Sequence, residues 1–82
     1  ISKMATVFAR FHDKSEVQVS EDFTLSTVEN TDGGFDVVLE GNICKTFADQ
    51  GDAESFEAVV RTALESALAG GGGVTTVIID DL

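Results

Sequence analysis

An α+β fold is what this sequence predicts: a mostly antiparallel sheet of about five strands, in the order β-β-β-β-α-β, with one helix packed on one face. Three observations carry it. Segments of alternating apolar and polar residues fill the first half of the chain, separated by clusters of turn-forming residues. One stretch, residues 53 to 69, switches to apolar steps of three and four. A short apolar run follows it, after a run of glycines.

The first strand is Ala5 to His12, with Ala5, Val7, Ala9 and Phe11 on one face and Thr6, Phe8, Arg10 and His12 on the other. His12-Asp13-Lys14-Ser15 supplies the turn. From Glu16 to Glu29, the side chains Val17, Val19, Phe23 and Leu25 hold one period-2 phase. Ser20-Glu21-Asp22 interrupts that phase, so a single long strand with a bulge or kink is expected. Asn30-Thr31-Asp32-Gly33-Gly34 is a dense turn signal, and Phe35, Val37 and Leu39 then alternate with Asp36, Val38 and Glu40.

Gly41-Asn42 turns the chain into Ile43 to Ala48, and two registers compete. A two-residue loop pairs Glu40 with Ile43 and puts Ile43 and Phe47 on the face opposite Phe35, Val37 and Leu39. A three-residue loop, Glu40-Gly41-Asn42, pairs Leu39 with Ile43 and Phe35 with Phe47. It gathers the apolar side chains on one face and leaves only Lys45 pointing inward, where a long stem can reach out at an edge. The three-residue loop is the preferred reading.

The helix carries Phe56, Val59, Val60, Ala63, Leu64, Ala67 and Leu68 as one stripe, with Glu54, Glu57, Arg61 and Glu65 off it. Glu57 and Arg61 form a favourable i,i+4 pair. Asp52 is the expected N-cap, with Asp49 and Glu54 near the positive end of the helix dipole. Gly70 to Gly73 stop the helix. The last strand, Val74 to Asp80, is apolar in both phases, a pattern of burial on both sides in mid-sheet. A helix between two strands implies that this strand runs parallel to a neighbour through a right-handed crossover.

Length and charge bound the function. Eighty-two residues make one domain; Met4 reads as the natural start, and Ile1, Ser2 and Lys3 as a cloning remnant, leaving 4–82 as the domain. Fifteen acidic residues against five basic ones give a net charge of −10. Such a field repels phosphate backbones and anionic membranes and attracts basic proteins, so direct nucleic-acid binding is not expected. Solubility or adaptation to high salt accounts for the same composition. A single Cys excludes an intrachain disulfide and a Cys-based zinc site. No segment approaches the ~20 apolar residues of a membrane span, and the chain is read as cytoplasmic for want of any export signal.

Each apparent motif has a plainer reading. Gly70 to Gly73 follow a helix C-terminus, whereas phosphate loops lead into a helix N-terminus, so a connector is expected. Lys45-Thr46 lacks the glycine that precedes the lysine of a phosphate-binding loop. Asn30, Asp32 and Gly33 echo part of a calcium loop, but the first and last ligand positions fall on Val28 and Leu39. Asn42-Ile43-Cys44 is at best a rare glycosylation variant. Glu21-Asp22 and Asp80-Asp81 point to opposite faces in extended chain and form no acid/base dyad. His12 and Cys44 could act together only if folding joins them, with Asp13 as orienting acid. No cofactor, metal or catalytic set is expected.

One helix covers only one face of a small sheet. Phe8, Val28, Val38 and the Val77/Ile79 phase of the last strand are therefore expected on the uncovered back, with Asp36 and Glu40 as acidic neighbours. This set is the candidate interface. The function expected is a non-catalytic protein-interaction or inhibitory module for a basic partner, with nucleic-acid mimicry as one mode. The alternative is a structural homo-oligomer, such as a homodimer, from an acid-rich or salt-adapted proteome.

Overall fold

The computed structural model describes residues 5–82; the reading of Ile1–Lys3 as a remnant and of Met4 as the start lies outside them. The chain is α+β, but its strands form two three-stranded sheets rather than one sheet of about five. The first sheet has the order β2-β1-β6, from Glu16–Val19, Thr6–Arg10 and Val74–Ile78. The second has the order β3-β4-β5, from Leu25–Glu29, Phe35–Leu39 and Asn42–Phe47. Helix α1, Gln50–Leu68, packs on both, and a single 3-10 turn, Ile79–Asp81, ends the described chain.

The sequence pattern from Glu16 to Glu29 is kept while its continuity is lost. Val19 and Leu25 are buried and Val17 and Phe23 partly so, all against one core. The Ser20-Glu21-Asp22 interruption is a complete break: Ser20 Oγ donates to Asp22 Oδ1 at 2.5 Å, and the Phe23 N–H donates to the Ser20 carbonyl at 3.1 Å. A period-2 phase survives such a turn because both sheets drain toward the same helix.

The β4–β5 hairpin resolves the choice of register in a third way. Its loop is Glu40-Gly41, both left-handed with φ of 51° and 82°, and Leu39 opposes Asn42. Two consecutive residues with positive φ match the right-handed twist of the strands. A bulge opposite Val37/Val38 then absorbs one extra residue, Cys44, so that Phe35 still faces Phe47. Ile43 moves to the back, opposite Val38, and the smaller Cys44 enters the core in its place. Lys45 lies on the helix side as expected, its ammonium 5.3 Å from the Phe47 ring centroid and 5.5 Å from that of Phe56.

Helix α1 begins earlier than expected. Asp49 is the N-cap, without a side-chain cap bond, and Asp52 sits in the first turn. The early start buries Ala53 beside Phe56, Val60, Leu64 and Leu68, while Val59 stays half exposed because the contact surface is narrower than the apolar stripe. Glu57 binds Arg61 as the spacing indicates, at 3.1 Å. Ala9, Val7, Val37 and Leu39 complete the centre of the core, each fully enclosed. Burying a Val or Leu side chain is worth roughly 1.5–3 kcal/mol, so this cluster dominates stability.

The last strand departs most from expectation. β6 does run parallel to a neighbour, β1, but it lies at the edge of its sheet and β1 takes the middle. Apolar content in both phases means two-sided burial only where layers cover both faces of a sheet, and α1 covers only one face here. Here the outward phase, Val74, Thr76 and Ile78, is open, and Val77 faces the core.

Candidate interaction surface

The backs of the two sheets are the surfaces that α1 leaves uncovered. On β3-β4-β5 the register places Ser26, Val28, Asp36, Val38, Ile43 and Thr46 on the back, since Thr27, Phe47 and Leu39 face the helix side. Val38 opposes Ile43 directly and stands diagonal to Val28. Val28 is 45% exposed and Ile43 55% exposed, with Val38 half-buried between them. Exposed Asp32 and Glu40 stand in the turns that flank this strip.

On β2-β1-β6 the back carries Phe8, flanked by Gln18 of β2 and Thr76 of β6, with Val74 and Ile78 diagonal to it. Phe8 is half-buried by these neighbours. Val28 and Val38 are thus joined with each other, while Phe8 belongs to a different sheet. The expected single strip is two strips.

The remaining sequence candidates divide. Glu40 is exposed, and its Oε1 accepts the Thr24 N–H at 2.9 Å, which explains a glutamate at a left-handed position. Asp36 is on the back but buried, and its Oδ1 accepts bonds from Thr46 Oγ1 at 2.6 Å and Asn30 Nδ2 at 3.1 Å. Those bonds, Thr46 first, hold its carboxyl below the usual aspartate range. It organises the hairpin rather than facing a partner. Val77 and Ile79 are corrected outright: Val77 packs on the core and Ile79 is 1% exposed. The outward phase of the last strand is Val74, Thr76 and Ile78. Ile43 was missed because the bulge that turns it outward leaves no mark in hydrophobic periodicity, and Val74 and Ile78 because a strand apolar in both phases does not reveal which phase the helix covers.

Folding does bring His12 toward Cys44. Both line a cavity of about 320 Å³ together with Lys45, Phe56 and Asp80. His12 Nδ1 lies 2.9 Å from Asp80 Oδ2, so Asp80 stands where Asp13 was expected; Asp13 instead caps the turn through Ser15. Burial pushes the Cys44 thiol up to about 11, partly offset by a hydrogen bond with the Leu39 backbone. A thiol so placed is protonated at neutral pH, and the thiolate is the nucleophile.

Among the described residues, no group of three or more His, Cys, Asp or Glu side chains is arranged to hold a metal ion. No helix among them is long and apolar enough to cross a membrane. Comparison with family models, curated proteins and solved structures finds no match to this chain.

Proposed function

We propose that this chain is a small, acidic, non-catalytic protein-interaction module that binds a basic protein in the cytoplasm. The observation that carries the reading is the uncovered Val28-Val38-Ile43 strip, set among exposed carboxylates on a chain of net charge −10. An apolar centre with a charged rim is the anatomy of a reversible protein interface. The carboxylates steer a cationic partner, and the apolar strip supplies contact once it arrives. Where the partner's basic groove also serves nucleic acid, occupation by this chain inhibits it by competition.

A non-catalytic role fits the chemistry of the His12 corner. Burial of the Cys44 thiol disfavours its thiolate, the nucleophilic form, and this supports the reading.

Titration calorimetry with a lysine- and arginine-rich peptide carrying aromatic residues tests the proposal. Binding is expected at low salt, with affinity falling steadily as sodium chloride rises. Ile43→Ser is expected to weaken it several-fold without altering the salt slope. No binding at low salt, or an affinity indifferent to salt, counts against a basic partner.

A further inference from the structure

We propose that two copies of this chain associate through β6, which pairs antiparallel with β6 of the second copy about a two-fold axis at Thr76. The two β2-β1-β6 sheets then become one continuous sheet. The inference stands on the β6 edge and is independent of the strip on the other sheet.

The free edge is defined by one hydrogen bond. The Thr6 N–H donates to the Gly73 carbonyl at 2.8 Å, so the main-chain groups of Gly73 face β1. Main-chain groups alternate direction along a strand, which turns those of Thr75 and Val77 toward β1 and those of Val74, Thr76 and Ile78 outward. β6 ends its sheet, so among the described residues these outward groups have no strand beyond them. Val74 is 73% exposed and Ile78 37% exposed.

Such edges are ordinarily blunted by charge, bulges, shortness or cover. The other three edges each use one of these devices. β2 is four residues long and begins at Glu16. β5 carries the bulge and Lys45. β3 is covered by α1, whose Arg61 Nη2 donates to the Leu25 carbonyl at 3.1 Å. β6, Val-Thr-Thr-Val-Ile, has no charge, no proline and no bulge.

The occupant follows from the register. With the axis at Thr76, Val74 opposes Ile78 of the second copy, Thr76 opposes Thr76, and Ile78 opposes Val74. All of these residues are the outward-facing ones, so each pair exchanges both of its N–H···O bonds. The exposed apolar side chains Val74 and Ile78 meet each other on the Phe8 side, and threonines pair at the centre. Asp80 and Asp81 fall opposite Gly72 and Gly71, not opposite carboxylates. A shift of the axis to Val77 would set Asp80 against Val74 and use fewer outward pairs. A cationic strand finds no charged side chain on β6 to recognise, whereas a second copy finds its own complement.

Sedimentation equilibrium of the full chain over protein concentration and sodium chloride tests this. A dimer is expected whose population rises with salt, because screening relieves repulsion between two chains of charge −10. Thr76→Asp sets like charges face to face on the axis and is expected to raise the dissociation constant by about tenfold or more. Thr76→Pro removes only an outward N–H and serves as the second variant. Unchanged circular dichroism shows that each variant keeps its fold. In Thr76→Cys, oxidation is expected to trap a covalent dimer. A wild-type chain that stays monomeric at high concentration and high salt overturns the proposal. So does a dimer that survives both Thr76→Asp and Thr76→Pro, or association that requires a cationic peptide.

Discussion

The two sheets solve the same problem differently. β3-β4-β5 has its turns and its β3 flank tied by specific side chains. Asn30 Oδ1 accepts the N–H groups of Asp32 and Gly34 at 2.9 Å each, its amide donates to Asp36, and Glu40 ties its turn to Thr24. Arg61 and Glu57 of α1 hold the β3 flank through the Leu25 carbonyl and Thr27 Oγ1. β2-β1-β6 has the Arg10–Glu16 pair across its hairpin and Asp13 capping its turn through Ser15, and among the described residues no side-chain bond runs from β6. One sheet is finished by polar chemistry, and the other is left with an edge for main-chain chemistry. Local side-chain bonds fix a sheet's own shape at the cost of its capacity to grow.

Chemical unfolding of paired variants can break that contrast. The largest expected effect is Leu39→Ala, which empties a fully buried site between β4 and α1 and should cost about 3 kcal/mol. The matching change in the other sheet, Val74→Ala, should lie within about 0.5 kcal/mol of wild type in the monomer because the side chain faces solvent. Equal losses would mean that β6 is as enclosed as β4.

Gly34→Ala comes next. An added Cβ would lie 2.8 Å from the Phe47 carbonyl oxygen, a backbone atom that cannot swing aside. A loss of about 2 kcal/mol is expected from this overpacking. Arg61→Met should cost about 1 kcal/mol, since the Leu25 carbonyl loses its donor while the aliphatic stem is kept. The same variant opens the β3 edge, so increased aggregation on warming would sharpen the comparison.

The acid side gives the smallest signal. Asp36 ionises more readily in the folded chain, through its bonds from Thr46 and Asn30. Its contribution is therefore complete above the usual aspartate range and is lost as pH falls through its depressed value. Urea midpoints measured down through about pH 4 should drop for the wild type. In Asp36→Asn that acid-dependent part should be flattened.

How much of this could be read beforehand depends on which force wrote each feature. The helix, the inward phases of β1 and β4, and Val17, Val19, Phe23 and Leu25 follow from burial, which periodicity records directly. The division into two sheets does not, because Ser20-Glu21-Asp22 can bend a strand or end it without changing the phase on either side. The Cys44 bulge was invisible for a related reason: it restores the Phe35–Phe47 pairing that a different loop would also have produced. For the last strand, apolar content was mistaken for enclosure, and this reversed Val77 and Ile79 with Val74 and Ile78. The proximity of His12, Asp80 and Cys44 comes from three separate elements and leaves no local trace.

The glycines before β6 carry a consequence of their own. Gly71, Gly72 and Gly73 all hold positive φ, with values of 77°, 102° and 81°. Such residues surrender more freedom on ordering than any others, so release of the final strand recovers more chain entropy than its length alone suggests. Deuterium should therefore enter the amides of Thr75 and Val77 before those joining β1 to β2. When that arm lets go, Ile79 leaves the core with it, and β1 changes from an interior strand into an open margin.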